Sequence, residues 1–184
     1  MAKRFFDIIL ALSLLVPATL LVACAAIWIR VESSGPAIFR QVRVGKDQKQ
    51  FRMFKLRTMQ TGTGDRASHE ISTSQITKAG KWLRRIKIDE LPQIWSVLIG
   101  DMSFVGPRPC LPIQSELIDA RESLGVFSVS PGITGPAQIA GIDMSTPHKL
   151  AHIDADYVNE QSFGRDLAYI WATAFGKGRG DAAT

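Results

Sequence analysis

Two acids stand inside a run of cations. Residues 84–109 read RRIKIDELPQIWSVLIGDMSFVGPRP. Asp89 and Glu90 follow Arg84, Arg85 and Lys87, and Arg108 stands between Pro107 and Pro109. Carboxylates set among cations suit chemistry on a phosphate. The cations hold the phosphate oxygens, and the acids attack phosphorus, bind a metal ion or move a proton. The flanking prolines stiffen the loop and lower the entropy cost of presenting the Arg108 guanidinium. A plainer reading competes. Asp89 is also a good N-cap, and Glu90 a good first-turn residue, for a helix over 91–98, where acids oppose the helix dipole. Taken alone, the pair reads as a cap before it reads as a catalyst.

The elements that would position these residues follow from periodicity. Residues 77–86 place Trp82, Leu83 and Ile86 on one helical stripe, and the basic residues of that helix lead into Asp89. In the helix over 91–98, Pro92 is tolerated in the first turn and Gly100 closes the end. Residues 37–44 alternate imperfectly as a half-buried strand, 45–48 form a turn, and 50–56 are the returning strand. This hairpin carries Arg40, Arg43, Arg52, Lys55 and Arg57, most of them expected on a solvated face. Residues 60–75 are a polar loop. A helix over 112–124 begins at Pro112 and stops at Gly125, residues 131–136 are a turn cluster, and 137–140 read as a short strand. Ser145 or Thr146 caps a helix that starts at Pro147 and reaches about residue 159. Asp154 and Asp156 lie on it as surface acids. Phe163, Leu167, Ile170, Trp171, Ala174 and Phe175 follow helical spacing and, with Tyr169, predict an aromatic-rich amphipathic helix, one that ordinarily packs on its own domain and, beside a membrane anchor, also suits the interface.

The chain has 184 residues, 46% of them hydrophobic, which suits one domain with an ample core. A formal net charge of +5 points to anionic partners. Cys24 and Cys110 make no disulfide framework and fit a reduced, cytosol-facing setting; the three histidines have no metal-ligand spacing. Between Phe5 and Ile29 the only polar residues are Asp7, Ser13 and Thr19. Residues 8–29, about 22 residues and roughly 33 Å as a helix, are enough for a bilayer core. The run is too long for a signal peptide, and Ile27-Trp28-Ile29-Arg30 is a poor cleavage site. Pro17 cannot donate to the Ser13 carbonyl and should kink the helix, with the Thr19 hydroxyl bonding back to Leu15 or Val16. Lys3 and Arg4 flank one end; Arg30, Arg40 and Arg43 follow the other. The positive-inside rule asks for both ends on the cytoplasmic side, which a re-entrant helix satisfies and a straight span does not. A kinked transmembrane anchor is the alternative.

Four motifs in this order carry a family resemblance: KLRTM at Lys55–Met59, DELPQ at Asp89–Gln93, GDMSFVGPRP at Gly100–Pro109 and PGITG at Pro131–Gly135. Together they resemble the bacterial sugar transferases known as small monotopic phosphoglycosyl transferases, over nearly the whole chain. The resemblance implies transfer of a phospho-sugar from a UDP-sugar to polyprenol (undecaprenyl) phosphate, with release of UMP, as the first membrane step of surface-glycan synthesis. It implies Mg²⁺ and a covalent phospho-sugar intermediate on the aspartate. Carried onto this chain, Asp89 is the nucleophile. Glu90 binds Mg²⁺, with Asp89, or deprotonates the acceptor. The substrate- and phosphate-binding set is Arg84, Arg108, Arg57, Lys55, Asp154 and Gln138. The resemblance also favours the re-entrant helix at the bacterial inner membrane, with the catalytic domain facing the cytoplasm, and admits a homodimer. The family commonly has Ser-Pro at the helix break. Here that position falls on Thr19-Leu20, and Pro17 lies about one turn earlier. Pro136 replaces a common aromatic, and Gly141-Ile142-Asp143 lacks an arginine found in some members.

The expected fold is α/β: a re-entrant membrane helix at 1–32 with a kink at Pro17 and Thr19, then a catalytic domain at 33–176, then a flexible tail at 177–184. The domain has a small hairpin-based sheet with surrounding and interfacial amphipathic helices. Its partners are the UDP-sugar, polyprenol phosphate and membrane lipids, not nucleic acid. The rival is a non-catalytic, membrane-anchored module that binds anionic lipid or phosphate. It gives no reason for acids inside the basic stretch.

Overall fold

The structure is a computed structural model that describes residues 2–62 and 75–176. The expected tail at 177–184 and most of the polar loop at 60–75 lie outside the described residues. The first element, α1 (Ala2–Glu32), is one helix of 31 residues that continues through Pro17. It is roughly 46 Å long at 1.5 Å per residue, long and apolar enough to cross a membrane. Its buried residues are Asp7, Ala11, Ala18, Ala25 and Ile29. They recur at spacings that share one helix face, and the three alanines let the backbone lie close to the domain. Phe5, Leu12, Val16, Leu20, Ile27 and Val31 remain exposed.

Both ends of α1 are bonded to the same domain. Near its start, Lys3 Nζ pairs with Asp166 Oδ2 at 2.6 Å, and Arg4 donates to the carbonyls of Val97 and Leu98. Asp7 Oδ1 accepts from the Phe104 amide at 3.2 Å, which satisfies a carboxylate inside an otherwise apolar run. At the far end, the Glu32 carboxylate accepts from the amides of Lys78 and Ala79 at 2.7 and 2.8 Å. Thr19 Oγ1 donates to the Leu15 carbonyl at 2.7 Å.

Strands β1 (Ile38–Val44) and β2 (Gln50–Leu56) form the expected antiparallel hairpin, in register from Ile38 opposite Leu56 to Val44 opposite Gln50. Thr77 caps α2 (Lys78–Arg85) by accepting from the Gly80 amide at 2.9 Å. The expected stripe of α2 is corrected in part: Leu83 is buried, whereas Ile86 is exposed and Trp82, 50% exposed, meets Trp28 of α1 with the rings tilted at 58°. A single helical turn, Ile88–Glu90, precedes α3 (Gln93–Ile99), and Gly100 ends it in the left-handed region at φ 99°.

Two short strands were not expected from the pattern. Strand β3 (Ser103–Val105) pairs in parallel with β4 (Gly132–Thr134), within what reads as a turn cluster. The expected helix over 112–124 starts later, as α4 (Ser115–Ser123), because the Leu111 amide is held in a turn by Gln114 Oε1 at 2.8 Å. The expected strand at 137–140 is instead a helical turn, α5 (Pro136–Ile139), entered through a proline whose fixed φ suits a first helical position. Helix α6 (Pro147–Asn159) lacks the predicted side-chain cap, since the Ser145 hydroxyl bonds Asp143. In α7 (Phe163–Ala174) only Asp166 is buried, while Phe163, Leu167 and Trp171 stay exposed. Phe51, Met53, Ile94, Val97 and Met102 join the hairpin, α3 and β3 to Ala11 and Ala18 of α1 in one core.

Candidate active site

The alternation of β2 explains how a lysine enters this core. Phe51, Met53 and Lys55 lie on one face of the strand and are all buried, while Arg52 between them is exposed. Lys55 Nζ meets Glu90 Oε1 at 3.1 Å. The same oxygen is 3.2 Å from Arg108 Nη2. Asp89 and Glu90 are 4% and 8% exposed, so the acids are withdrawn from bulk water beside fixed cations. A buried carboxylate is tolerated only with such partners.

Three parts of the chain converge here. Helix α2 and strand β2 both pack on the Ile88–Glu90 turn, and the β3–α4 loop supplies Arg108. Arg84 is buried, and its Nε donates to Thr58 Oγ1 at 2.9 Å. Lys87, just before the acidic turn, adopts a left-handed backbone at φ 59°, a conformation that costs a non-glycine residue about 1 kcal/mol or more. Burial lowers the pKa of its ammonium, Glu90 raises it and Arg108 lowers it, so Lys87 senses both groups. The Arg108 loop is wedged tightly: a Cβ on Gly132 would stand 2.1 Å from the Gly106 amide nitrogen, so glycine is required there.

Glu90, Lys55 and Arg108 are therefore brought together, with Asp89 on the same turn. Three other expected residues lie apart. Arg57 is buried, but its guanidinium donates to the Ser33 and Ser34 carbonyls just past α1, where a cation also favours the helix terminus. Asp154 is not a surface acid: it is 0% exposed, and its Oδ2 accepts from Arg121 Nη2 and Nε at 2.6 and 3.0 Å. Burial pushes its carboxyl pKa up, with Arg121 opposing. Gln138 lies on α5 with both side-chain polar atoms buried and without a protein partner among the described residues. The hairpin arginines also depart from expectation, since Arg43 and Arg57 join Lys55 in being buried.

Sequence reasoning missed Arg121 and Gln41, and it put Arg43 on a solvated face. A signal existed for Arg121. It sits four residues after Leu117 and shares its buried face, just as Asp154 shares a stripe with Leu150 and Ala151. Opposite charges on two apolar stripes are a pairing signal.

The acids can be tested as a Mg²⁺ site. Among the described residues no group of three or more His, Cys, Asp or Glu side chains could hold a metal ion. Adjacent carboxylates without further protein ligands still fit Mg²⁺, which binds through one or two carboxylates, keeps several waters and shares the substrate's phosphates. Asp89 and Glu90 are such a donor set.

Comparison with known proteins shows the family. A family model described as bacterial sugar transferase matches residues 1–178. The chain is 36% identical over 184 residues to the UDP-glucose:undecaprenyl-phosphate glucose-1-phosphate transferase of Escherichia coli (strain K12), covering 94% of this chain and 39% of that protein. It is 36% identical over 171 residues to a Bacillus subtilis (strain 168) sugar transferase, covering 93% of this chain and 84% of that one. It is 34% identical to the UDP-N-acetylgalactosamine-undecaprenyl-phosphate N-acetylgalactosaminephosphotransferase of Aeromonas hydrophila, covering 93% of this chain and 42% of that one. The chain thus spans about two-fifths of two of these relatives and most of the third. The family match runs over nearly the whole chain, and the chain belongs to the bacterial sugar transferase family.

Proposed function

We propose that the protein transfers a phospho-sugar from a UDP-sugar to undecaprenyl phosphate or another polyprenol phosphate, the initiating step of surface-glycan or exopolysaccharide synthesis. The observation that carries this reading is the buried Asp89-Glu90 turn with Lys55 and Arg108 on Glu90. An Asp89 carboxylate oxygen attacks the sugar-linked phosphorus. The bond from that phosphorus to the bridging oxygen breaks, and UMP leaves with the electron pair. The result is an aspartyl phospho-sugar. An oxygen of polyprenol phosphate then attacks the same phosphorus and expels Asp89, giving polyprenyl-diphospho-sugar. Lys55, Arg84 and Arg108 balance the diphosphate charge in a site withdrawn from water, where fixed cations act strongly. Glu90 stands ready to take the acceptor's proton. Asp89 and Glu90 would hold Mg²⁺, which neutralises diphosphate charge and stabilises the leaving UMP.

The acceptor side has support of its own. An apolar cavity of about 310 Å³ is lined by Leu15, Thr19 and Val22 of α1, Phe54 of the hairpin, and Leu91 and Trp95 beside the acids. Leu91 directly follows Glu90, so a prenyl chain in this groove would bring its phosphate to the pair. Helix α1 is read as dipping into one leaflet and returning, with Pro17 and Thr19 at the bend. A spanning helix puts its ends on opposite sides of a core of about 30 Å, whereas here both ends bond one domain. On this reading the protein sits at the bacterial inner membrane with its domain on the cytoplasmic side. The lipid-binding module alternative leaves Asp89 and Glu90 without a role. The relatives' names carry different sugars, glucose in one and N-acetylgalactosamine in another.

The test is UMP release in nanodiscs with Mg²⁺, undecaprenyl phosphate and a panel of UDP-sugars. One donor should give UMP, dependent on the lipid, with Asp89→Asn losing at least about 1,000-fold, since loss of a nucleophile removes the covalent route. An Asp89→Asn protein as active as the wild type sinks the reading.

A further inference from the structure

We propose that the buried Arg121–Asp154 pair is a positioning device, fixing the Arg108 loop from behind and so aiming the Arg108 guanidinium at the donor's phosphates. The inference rests on the phosphoryl-transfer reading above and assigns Asp154 a different part in it. Pro107 and Pro109 have no backbone N–H, so the segment around Arg108 is held chiefly through its carbonyls. Four successive carbonyls are taken. Pro107 O accepts from the Gly132 amide at 2.9 Å, Arg108 O from Arg121 Nη1 at 2.8 Å, Pro109 O from Arg43 Nη1 at 3.0 Å and Cys110 O from the Val44 amide at 2.9 Å.

Two of those donors are amides that the fold places. The other two are guanidinium groups, each oriented by a buried acceptor. Arg121 gives Nε and Nη2 to Asp154 Oδ2 at 3.0 and 2.6 Å, and Arg43 gives the same pair to Gln41 Oε1 at 3.1 and 2.6 Å. Arg121 is 1% exposed and Asp154 0%, so the pair is shielded from bulk water. Burial of an ion pair is weak evidence for stability, because apolar residues of similar volume often serve as well. What apolar residues cannot supply is a planar donor fork locked in one orientation. Here the fork ends on the carbonyl of the very residue whose side chain meets Glu90 at 3.2 Å. Asp154 acts through Arg121 and Arg108, one layer behind the substrate.

Two measurements test this, both on Asp154→Asn, which keeps the shape and removes the charge. Backbone hydrogen exchange should accelerate at Gly132 and Val44, whose acceptors are loop carbonyls, with the α3 amides unchanged. Wild-type exchange at both sites overturns the proposal, and so does equal acceleration throughout the fold. The second is a cycle of kcat/KM in wild type, Asp154→Asn, Arg108→Ala and the double variant. Asp154→Asn should cost about 10-fold through misplaced Arg108, and less than about two-fold once Arg108 is gone. A full repeat of the loss in the Arg108→Ala protein overturns the proposal. If the wild type releases no UMP from any donor, the transferase reading fails, and the exchange result still decides whether the pair holds the loop. Arg121→Lys, which keeps charge but not the fork, carries both measurements if Asp154→Asn melts below the assay temperature.

Discussion

Glu90 is bound to two cations through a single oxygen: Lys55 and Arg108 both reach Oε1. Lys55 and Arg108 have no equivalent roles, however. Lys55 sits on a strand face otherwise made of Phe51 and Met53, and 94% of its surface is buried with the ammonium against Glu90. Removing it leaves a buried carboxylate short of a partner, the costly half of a broken ion pair. Lys55→Met is therefore expected to destabilise the fold by about 3 kcal/mol, a fall of roughly 6–12 °C in thermal midpoint for a chain of this size. It should also lower UMP release, because Arg108 is then drawn more tightly to Glu90 and away from phosphate. Arg52→Met, on the exposed face of the same strand, should change stability by no more than about 0.5 kcal/mol. Thermal melts of the two variants decide the matter; equal midpoints would show that Lys55 is a solvated cation like its neighbour.

Elements set how far such residues could be found in the chain itself. The hairpin was legible because two apolar stretches flank a turn at 45–48, and α2 because Leu83 recurs at helical spacing with its neighbours, although Trp82 stays exposed. Asp89 and Glu90 were legible as types amid cations, and the resemblance carried by their motif favoured catalyst over cap. In the structure they occupy their own helical turn, ahead of α3. Strands β3 and β4 were not legible. Each has three residues, and their partnership is parallel and distant in sequence, so no local pattern declares it. Pro136 hid α5, since a proline marks a turn and a first helical position alike. The role of Arg57 was hidden for another reason: its acceptors are backbone carbonyls at the end of α1, which side-chain pattern does not report. The groove between α1, hairpin and α3 is likewise a product of packing. Trp95 lines it while remaining 55% exposed. Trp95→Ala should raise the KM for polyprenol phosphate about 10-fold, equivalent to about 1.4 kcal/mol of lost apolar contact. The KM for the UDP-sugar should not move. A parallel rise in both would place Trp95 outside an acceptor groove.

At the scale of the whole molecule the decisive relation is between α1 and the domain. The helix is long enough to span a bilayer, yet Lys3 and Arg4 bond the domain at one end and Glu32 at the other. Crossing would require one set of these bonds to form on the far side of the membrane. The exposed face of α1, with Phe5, Val16, Leu20 and Val31, is the face lipid would cover, and Cys24 lies among its exposed residues. The two arrangements differ in which side each end is on. With Cys24 replaced by Ser, and with Cys110 retained at 0% exposure and its thiol pKa pushed up by burial, single cysteines placed as Ala2→Cys and Lys49→Cys report the two sides. In inside-out membrane vesicles a membrane-impermeant maleimide should label both; in right-side-out vesicles it should label neither. Labelling of Ala2→Cys and Lys49→Cys from opposite sides would make α1 a spanning anchor. The bonds of Lys3, Arg4 and Asp7 to the domain would then have to break in the membrane. A helix that enters and leaves on one side keeps them all, and keeps the apolar groove beside the Asp89-Glu90 turn, where the proposed polyprenyl acceptor would reach it.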